Sequence, residues 1–293
     1  MSMSGKAEAA DREERGLVRR LHLNATLVVG LGLLVLIVLS ALCAPILAPA
    51  GPTDVDLSAV RLPPSGAHLF GTDGIGRDLL SRVLYGGQVS LLVAGAGMAG
   101  SLLTGTVMGM LGAFGGYWVR AVVDRAIDIQ LAFPYVLLAI AVTSAVKPSI
   151  PVLILLMVLA AWAGAARVVR SIALQERGKD YVQAAAVIGA PYWRIALFHV
   201  FPSVVPSLVV LAAMQMAAMI VFEATLSFLG MGVQPPTPSW GGIMLDGKNY
   251  ITSSWWMTVL PGMAIVVTSL SLVLIGDGLQ ARRLALRSRE GNA

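Results

Sequence analysis

Long uninterrupted apolar runs constrain this chain more than any other feature. The first, residues 25–47, contains no charged side chain, and at about 1.5 Å per residue it can cross a hydrocarbon core of about 30 Å. Of the 293 residues 57% are hydrophobic and only 13% are charged, whereas a soluble domain needs a richer charged surface. Because the apolar residues form runs and do not alternate, they indicate helices and not a membrane β-barrel. The chain is therefore predicted to be an all-α integral membrane protein.

Six such segments occur, so about six transmembrane helices are predicted. A polar segment, 1–24, precedes the first helix at 25–47, and an external loop follows at 48–88. A five-helix core is predicted over 89–280, with a loop at 170–202, a second external loop at 230–258 and a basic tail at 281–293. Its helices are placed at about 89–114, 127–146 with a kink at Pro134, 152–169, 204–222 and 259–275. A cleaved signal peptide is the alternative for the first segment, but its apolar run exceeds the usual length of about 7–15 residues.

Basic residues are distributed unevenly among the connections. Only five of the 21 lie on one predicted side of the membrane, and these are Arg61, Arg77, Arg82, Lys147 and Lys248. The others lie in 1–24, near 120–125, in or beside 170–202, and in the tail. Because lysine and arginine accumulate on cytoplasmic connections, both termini are predicted to be cytoplasmic, in a multi-pass protein of the cell inner (plasma) membrane. No basic stripe with interleaved aromatic residues is present, so the lipid bilayer and not nucleic acid is the expected partner of the net charge of +5.

The loop 170–202 has the pattern of a helix–turn–helix elbow. Asp180 is a candidate N-cap, and Gln183 completes a capping-box pattern. The first short helix is predicted over 181–188, and Gly189 ends it in a left-handed conformation. The second is predicted over 192–200, with Pro202 ending it before the fifth span. The elbow is expected to expose the apolar residues Val182, Ile188, Tyr192 and Trp193 to a partner surface or to lipid headgroups.

The elbow also carries a family pattern. Gln183-Ala184-Ala185, Gly189 and Pro202 resemble the EAA signature of ATP-binding-cassette importer permeases, in which Glu-Ala-Ala is followed by three residues, Gly, and Pro thirteen residues later. In that family the elbow is the coupling helix, which docks into a groove of the ATPase subunit. Gln183 replaces the usual Glu and Phe201 the usual Leu, so one charge is lost. The resemblance implies coupling residues Asp180, Tyr181, Gln183, Ala184, Ala185, Gly189, Tyr192, Trp193, Arg194 and Pro202.

Four further segments resemble one particular group of these importer permeases. Residues 70–86, 223–241, 261–262 and 276–279 are similar to dipeptide, oligopeptide and nickel permeases, and the chain resembles their C-type (second) permease subunit. This implies the type I importer permease fold and four further subunits or proteins: a homologous permease, two ATPases and a periplasmic or extracellular solute-binding protein. No Gly-x-x-x-x-Gly-Lys-Ser/Thr loop occurs, so no cofactor is expected on this chain, and ATP and Mg are expected in the ATPase subunits.

Several residues are predicted to lie at the external face of the membrane, and functions other than an ATP-driven importer can be weighed against the sequence. Glu223 is expected at the outer interface, capping a helix or pairing with an arginine, while Pro236 and Trp240 are expected at the pore mouth. Trp240, Trp255 and Trp256 also fit interfacial anchors. Di- or oligopeptides are the favoured solute, and nickel or another small solute is the alternative. A stand-alone ion-coupled carrier would need ionisable residues deep within its spans, and an enzyme would need a nucleophile–base pair or a metal cluster; neither pattern is present.

Overall fold

The computed structural model describes residues 25–290, with side chains described up to residue 284. The predicted segment 1–24 and residues 291–293 lie outside the described range. Within it the chain is helical, and its only β-pairing is an isolated bridge between Thr72 and Asp78. The helices are α1 (Ala25–Leu42), α2 (Ala44–Leu47), α3 (Leu79–Phe114), α4 (Tyr117–Ala132), α5 (Tyr135–Ala145), α6 (Ile150–Arg177), α7 (Asp180–Val187), α8 (Tyr192–Arg194), α9 (Phe201–Phe228), α10 (Trp240–Gly247) and α11 (Trp256–Glu290).

The number of spans agrees with the prediction. Five helical stretches are long and apolar enough to cross a membrane: Ala25–Leu42, Leu79–Phe114, Ile150–Arg177, Tyr192–Phe228 and Trp256–Leu284. The bent pair α4 and α5 passes the same test as a unit, which makes up to six. The all-α membrane fold with about six transmembrane helices is confirmed.

Several predicted boundaries were wrong. The second span begins at Leu79, ten residues before the predicted position, because Asp78 caps it by accepting a hydrogen bond from the Ser81 amide at 2.9 Å. Its first turns contain Arg82 and two glycines, so the apolar pattern did not reveal them. At the other end of the chain, residues 281–290 of the predicted tail continue α11.

The third span is broken at the position where a kink was predicted. The axes of α4 and α5 differ by 86°, and Pro134 is the N-cap of α5. Phe133 before it is extended, as steric contact with a following proline ring favours. The residues 120–125, predicted as a short link, lie within α4. This span is therefore two helices that meet almost at a right angle.

The centre of the bundle is the packing of α3 along α6. Small residues on α3 allow the two backbones to approach closely. A Cβ atom on Gly105 would stand 2.6 Å from the Ala165 Cβ and 2.8 Å from the Trp162 carbonyl oxygen. At Gly109 it would stand 2.7 Å from the Ala166 carbonyl oxygen. Contact of this closeness leaves no room for any side chain at either position.

Gly105 provides a test of this packing. We expect Gly105→Ala to destabilise the protein in detergent by about 1–3 kcal/mol, because the added methyl group forces α3 and α6 apart. Gly164→Ala is the matched control, since a Cβ there meets no atom within 4 Å and alanine has the higher helix propensity. Thermal unfolding of both variants measures the difference, and equal melting temperatures would contradict the packing described.

Candidate functional site: the elbow and the cap

The elbow comprises residues 180–200 and begins with α7. The N-cap of α7 is Lys179, whose side chain makes no capping hydrogen bond, and Asp180 is the first helical residue. The predicted capping box between Asp180 and Gln183 was therefore wrong. The Gln183 Nε2 donates instead to the carbonyl oxygen of Gly178 at 3.2 Å. A glutamine can make this bond because its amide is a donor, whereas a glutamate carboxylate cannot.

The turn of the elbow has the predicted left-handed glycine. Gly189 has φ +88°, and its N–H donates to the Ala186 carbonyl oxygen at 3.0 Å. The Ala190 N–H donates to the Ala185 carbonyl oxygen at 3.1 Å. These two bonds form the Schellman motif that ends a helix. The chain therefore reverses sharply at Gly189, and no atom outside the turn would lie within 4 Å of a Cβ placed there.

The second arm of the elbow differs from the prediction. Only Tyr192–Arg194 is α-helical, and Ile195–Val200 is a π-helix that continues into α9. Pro202 therefore does not end a helix, since it occupies the first turn of α9, where a missing N–H is tolerated. The wider π-helical turn shifts the hydrogen-bond register immediately before the proline. The second arm of the elbow and the fifth span form one continuous helical stretch from Tyr192 to Phe228.

The two arms present an apolar tip and a buried base. Val182 was predicted to be exposed, but it is buried with Ile195 and Val200 against Val169 and Ala173. The tip next to Gly189 is the reverse: Val187 and Ile188 are 87% and 86% exposed. Most of the predicted coupling residues are also exposed, namely Asp180, Tyr181, Gln183, Ala184, Gly189, Tyr192, Trp193, Arg194 and Pro202, with Ala185 half-buried. All of them except Pro202, which lies in the first turn of α9, belong to the elbow.

Glu176 is a residue of this region that the sequence reading missed. It is buried at the end of α6 and accepts hydrogen bonds from the Lys179 Nζ at 2.7 Å and from the Tyr181 hydroxyl at 2.9 Å. The spacing of Glu176 and Lys179, three apart, is that of a helical ion pair and could have indicated it. The bond to Tyr181 crosses the break between α6 and α7, which no spacing rule covers.

The opposite end of the bundle is covered by a cap, residues 48–78 and 229–255. Its parts are joined by an ion network around Asp73, which accepts from Arg82 Nη1 at 2.5 Å and from Arg77 Nε at 2.6 Å. Both arginines also reach Asp246 in α10, at 2.9 Å and 3.1 Å. The network therefore fastens the loop before α3 to α10, far along the chain. These residues were assigned no role from sequence.

The charge of Asp73 is stabilised by its surroundings. Burial alone raises the pKa of this carboxyl, but the Ile75 N–H, the guanidinium groups of Arg82 and Arg77, and the Arg77 N–H all lower it. The net result is a pKa below the ordinary value. Asp73 is therefore ionised at neutral pH, and its ion pairs are intact there.

Two of the predicted interfacial tryptophans are instead buried in the cap. The Trp240 Nε1 donates to the Val83 carbonyl oxygen at 2.9 Å, and the Trp256 Nε1 donates to the Thr72 carbonyl oxygen at 3.1 Å. These indoles fit inside the protein because each N–H finds a carbonyl acceptor. Trp255 is half exposed. Pro236 lines a cavity of about 50 Å³ together with Arg82, Ser239 and Asp246.

Glu223 does not lie at the outer surface. It is fully buried in α9, and the Ser227 hydroxyl donates to its Oε1 at 2.7 Å. Within residues 25–284 it forms no ion pair with an arginine, and its Oε2 has no hydrogen-bond partner. The expected pairing was therefore wrong: Arg77 and Arg82 pair with Asp73 and Asp246 instead. Asp128, in contrast, forms an ion pair between α4 and α6, since its Oδ1 lies 3.3 Å from the Arg167 Nη2.

The described residues thus form an apolar helical bundle of an integral membrane protein, with the elbow at one end and the polar cap at the other. Two family models identify it further. Residues 102–284 match the binding-protein-dependent transport system inner membrane component, and residues 15–64 match the N-terminal transmembrane domain of oligopeptide transport permease C. The chain belongs to the family of binding-protein-dependent importer permeases of the inner membrane, as its elbow pattern predicted.

Named relatives cover nearly the whole chain. A protein of Brucella abortus, named as a peptide transport system permease, is 40% identical over 265 residues, 89% of this chain and 88% of the relative. DdpC of Escherichia coli, named as a probable D,D-dipeptide transport system permease, is 40% identical over 253 residues, 85% and 83% of the two chains. DppC of Pseudomonas aeruginosa, a di/tripeptide transport system permease, is 35% identical over 257 residues, 86% and 85%.

The cap network can be tested with two aspartates that share the same arginines. We expect Asp73→Asn to destabilise the protein in detergent at neutral pH by about 3–5 kcal/mol, because it removes the buried carboxylate and leaves two arginine charges with only the partly exposed Asp246. Asp246→Asn is the matched comparison and should cost about 1 kcal/mol or less, since its carboxylate is partly exposed. Thermal unfolding measures the loss of stability in each variant. A larger loss in Asp246→Asn than in Asp73→Asn would contradict the assignment of Asp73 as the main partner of the two arginines.

The same network predicts a pH dependence. Because the pKa of Asp73 is lowered on folding, its contribution to stability is present above the unfolded value near 3.8 and is lost as the pH falls through the folded pKa. The difference in melting temperature between the wild type and Asp73→Asn should therefore be constant around neutral pH and shrink below about pH 4. A difference that persisted unchanged in stronger acid would contradict the assignment.

Proposed function

We propose that this chain is the pore-forming subunit of an ATP-driven importer of di- or oligopeptides. The peptide class comes from the relatives, whose printed names include peptide, D,D-dipeptide and di/tripeptide transport systems. The chain matches each of them over more than four fifths of both lengths. The spans enclose the pathway together with a homologous permease, and a periplasmic or extracellular solute-binding protein delivers the peptide to the cap.

The energy for transport enters through the elbow. The observation that carries this step is the exposed apolar pair Val187 and Ile188 at a tip held by the left-handed Gly189. Apolar side chains exposed to this degree on a projecting turn mark a protein interface. Two ATPase subunits, which hold the ATP and Mg, bind this tip and the corresponding tip of the second permease. No ATP site is needed on this chain, which acts as a transport subunit and not as an enzyme.

Reconstituted transport tests the solute class. The chain is purified with its second permease and its ATPase subunits, placed in proteoliposomes, and supplied with the cognate binding protein. We expect ATP-dependent accumulation of a labelled tripeptide such as trialanine, and no accumulation when ATP is replaced by a non-hydrolysable analogue. ATP-dependent accumulation of Ni²⁺ with no peptide uptake would contradict the proposal. Uptake driven by an ion gradient with no ATPase subunit present would contradict it entirely.

Gly189 tests the coupling step. A β-branched residue in a left-handed conformation costs about 1–3 kcal/mol, so Gly189→Val should reshape the turn and displace the tip. We expect ATP-coupled peptide uptake to fall about tenfold, which corresponds to about 1.4 kcal/mol. Membrane insertion should be unchanged, because a Cβ at Gly189 meets nothing within 4 Å.

Gly178→Ala is the matched control for this experiment. Gly178 also ends a helix beside the elbow, but it has φ −77°, and a Cβ there stands at an ordinary 3.5 Å from the Gln175 carbonyl oxygen. Its uptake should equal that of the wild type. Normal uptake by Gly189→Val, at wild-type levels of protein in the membrane, would count against the elbow as the coupling element.

A further inference from the structure

Side chains at the end of α6 connect the elbow to the spans on two sides. On one side is Glu176, whose carboxylate is buried and accepts from the Tyr181 hydroxyl in α7 at 2.9 Å. The same hydroxyl lies 3.4 Å from the His199 carbonyl oxygen in the π-helix. Tyr181 therefore contacts α6, of which Glu176 is part, and the second arm of the elbow at once. Its ring remains partly exposed, but its polar atom is directed into the protein.

On the other side is Arg177, the next residue. Its Nη1 donates to the Ala113 carbonyl oxygen in the last turn of α3 at 2.9 Å, where carbonyl groups lack helical partners and a cation is favoured. The guanidinium carbon lies 5.6 Å from the centre of the Phe114 ring and 5.9 Å from that of Tyr192, within the range of a cation–π contact. Arg177 therefore connects α3 to the start of the second arm.

We propose that Glu176 and Arg177, with Lys179, Tyr181 and Tyr192, form a clamp that transmits displacement of the elbow to α3 and α6. Glu176 and Arg177 are positioning residues: they lie behind the exposed tip and set how firmly it is attached to the spans. This rests on the proposed coupling function and adds to it the device that makes the elbow move with the bundle.

The elbow can transmit force to the spans only if its attachment to them is stiffer than the load that it moves. Apolar contacts at the base of the elbow, between Val182, Ile195 and Val169, are non-directional and permit sliding. Hydrogen bonds and charge-assisted contacts fix direction as well as distance. Glu176 accepts such a hydrogen bond from the first arm. Arg177 donates one to α3 and makes a cation–π contact with Tyr192 at the start of the second arm. Rotation of the elbow about its base would therefore break at least one of these contacts.

The test separates coupling from docking by measuring two rates in one preparation. The complete transporter in proteoliposomes is assayed for trialanine taken up and for ATP hydrolysed, and the ratio is the readout. We expect Glu176→Ala to lower the peptide transported per ATP about fivefold, the factor that corresponds to loss of one hydrogen bond of about 1 kcal/mol. Glu176→Gln keeps an acceptor for Tyr181 and should give an intermediate ratio.

Controls make each outcome decisive. Gln175→Ala changes an exposed neighbour on the same helix and should leave the ratio unchanged. If Glu176→Ala fails to assemble, Tyr181→Phe, which removes a single oxygen atom, decides the question by the same ratio. An unchanged ratio in Tyr181→Phe and Glu176→Gln, or uptake and hydrolysis that fall in parallel, would overturn the clamp. If the wild type shows no ATP-coupled peptide uptake, the proposed function fails and not the clamp alone.

Discussion

The close contact between α3 and α6 is the interaction on which the rest of the structure depends. With 36 residues, α3 is about 54 Å long, well beyond the hydrocarbon core of about 30 Å. Its first turns lie in the cap and its last turn contacts the elbow. Because Gly105 and Gly109 allow the α6 backbone to lie directly against it, the two helices form one body that joins both ends of the molecule.

Polar interactions are concentrated where that body meets water. Asp73 and Arg82 hold the cap to the start of α3, Glu176 holds the elbow to the end of α6, and Arg177 holds that end to the last turn of α3. Between these ends the bundle is held by apolar packing and by a few hydroxyl and amide bonds such as that from Gln215 to Ser101 at 3.0 Å. In hydrocarbon, helix association lacks a strong hydrophobic driving force, so directional contacts at the two ends help to fix how the helices are oriented.

The features that sequence predicted well are those with a local cause. Apolar length determines whether a helix can span the membrane, and a turn that needs positive φ favours glycine, so the spans and Gly189 were predictable. The predictions that were wrong concern features that depend on residues far away in the sequence. Leu79 begins a helix although polar residues follow, because the cap buries them. Trp240 and Trp256 are buried because Val83 and Thr72 present carbonyl oxygens to them, and no local pattern encodes those pairs.

Two prolines, Pro134 and Pro202, show the same difference between a local effect that sequence predicts and an outcome that depends on the surrounding structure. Pro134 and Pro202 both lack the N–H that an interior helical position needs, so sequence assigned each a local disturbance. At Pro134 the chain breaks by 86°, since α5 is short and makes few contacts that would hold it in line with α4. At Pro202 the preceding π-helix takes up the change in register and the helix continues. That continuity matters for the elbow, because its second arm and α9 are then one helical stretch, Tyr192–Phe228. In the proposed coupling mechanism, movement at the tip would reach the fifth span through this helix and would reach α3 through Arg177.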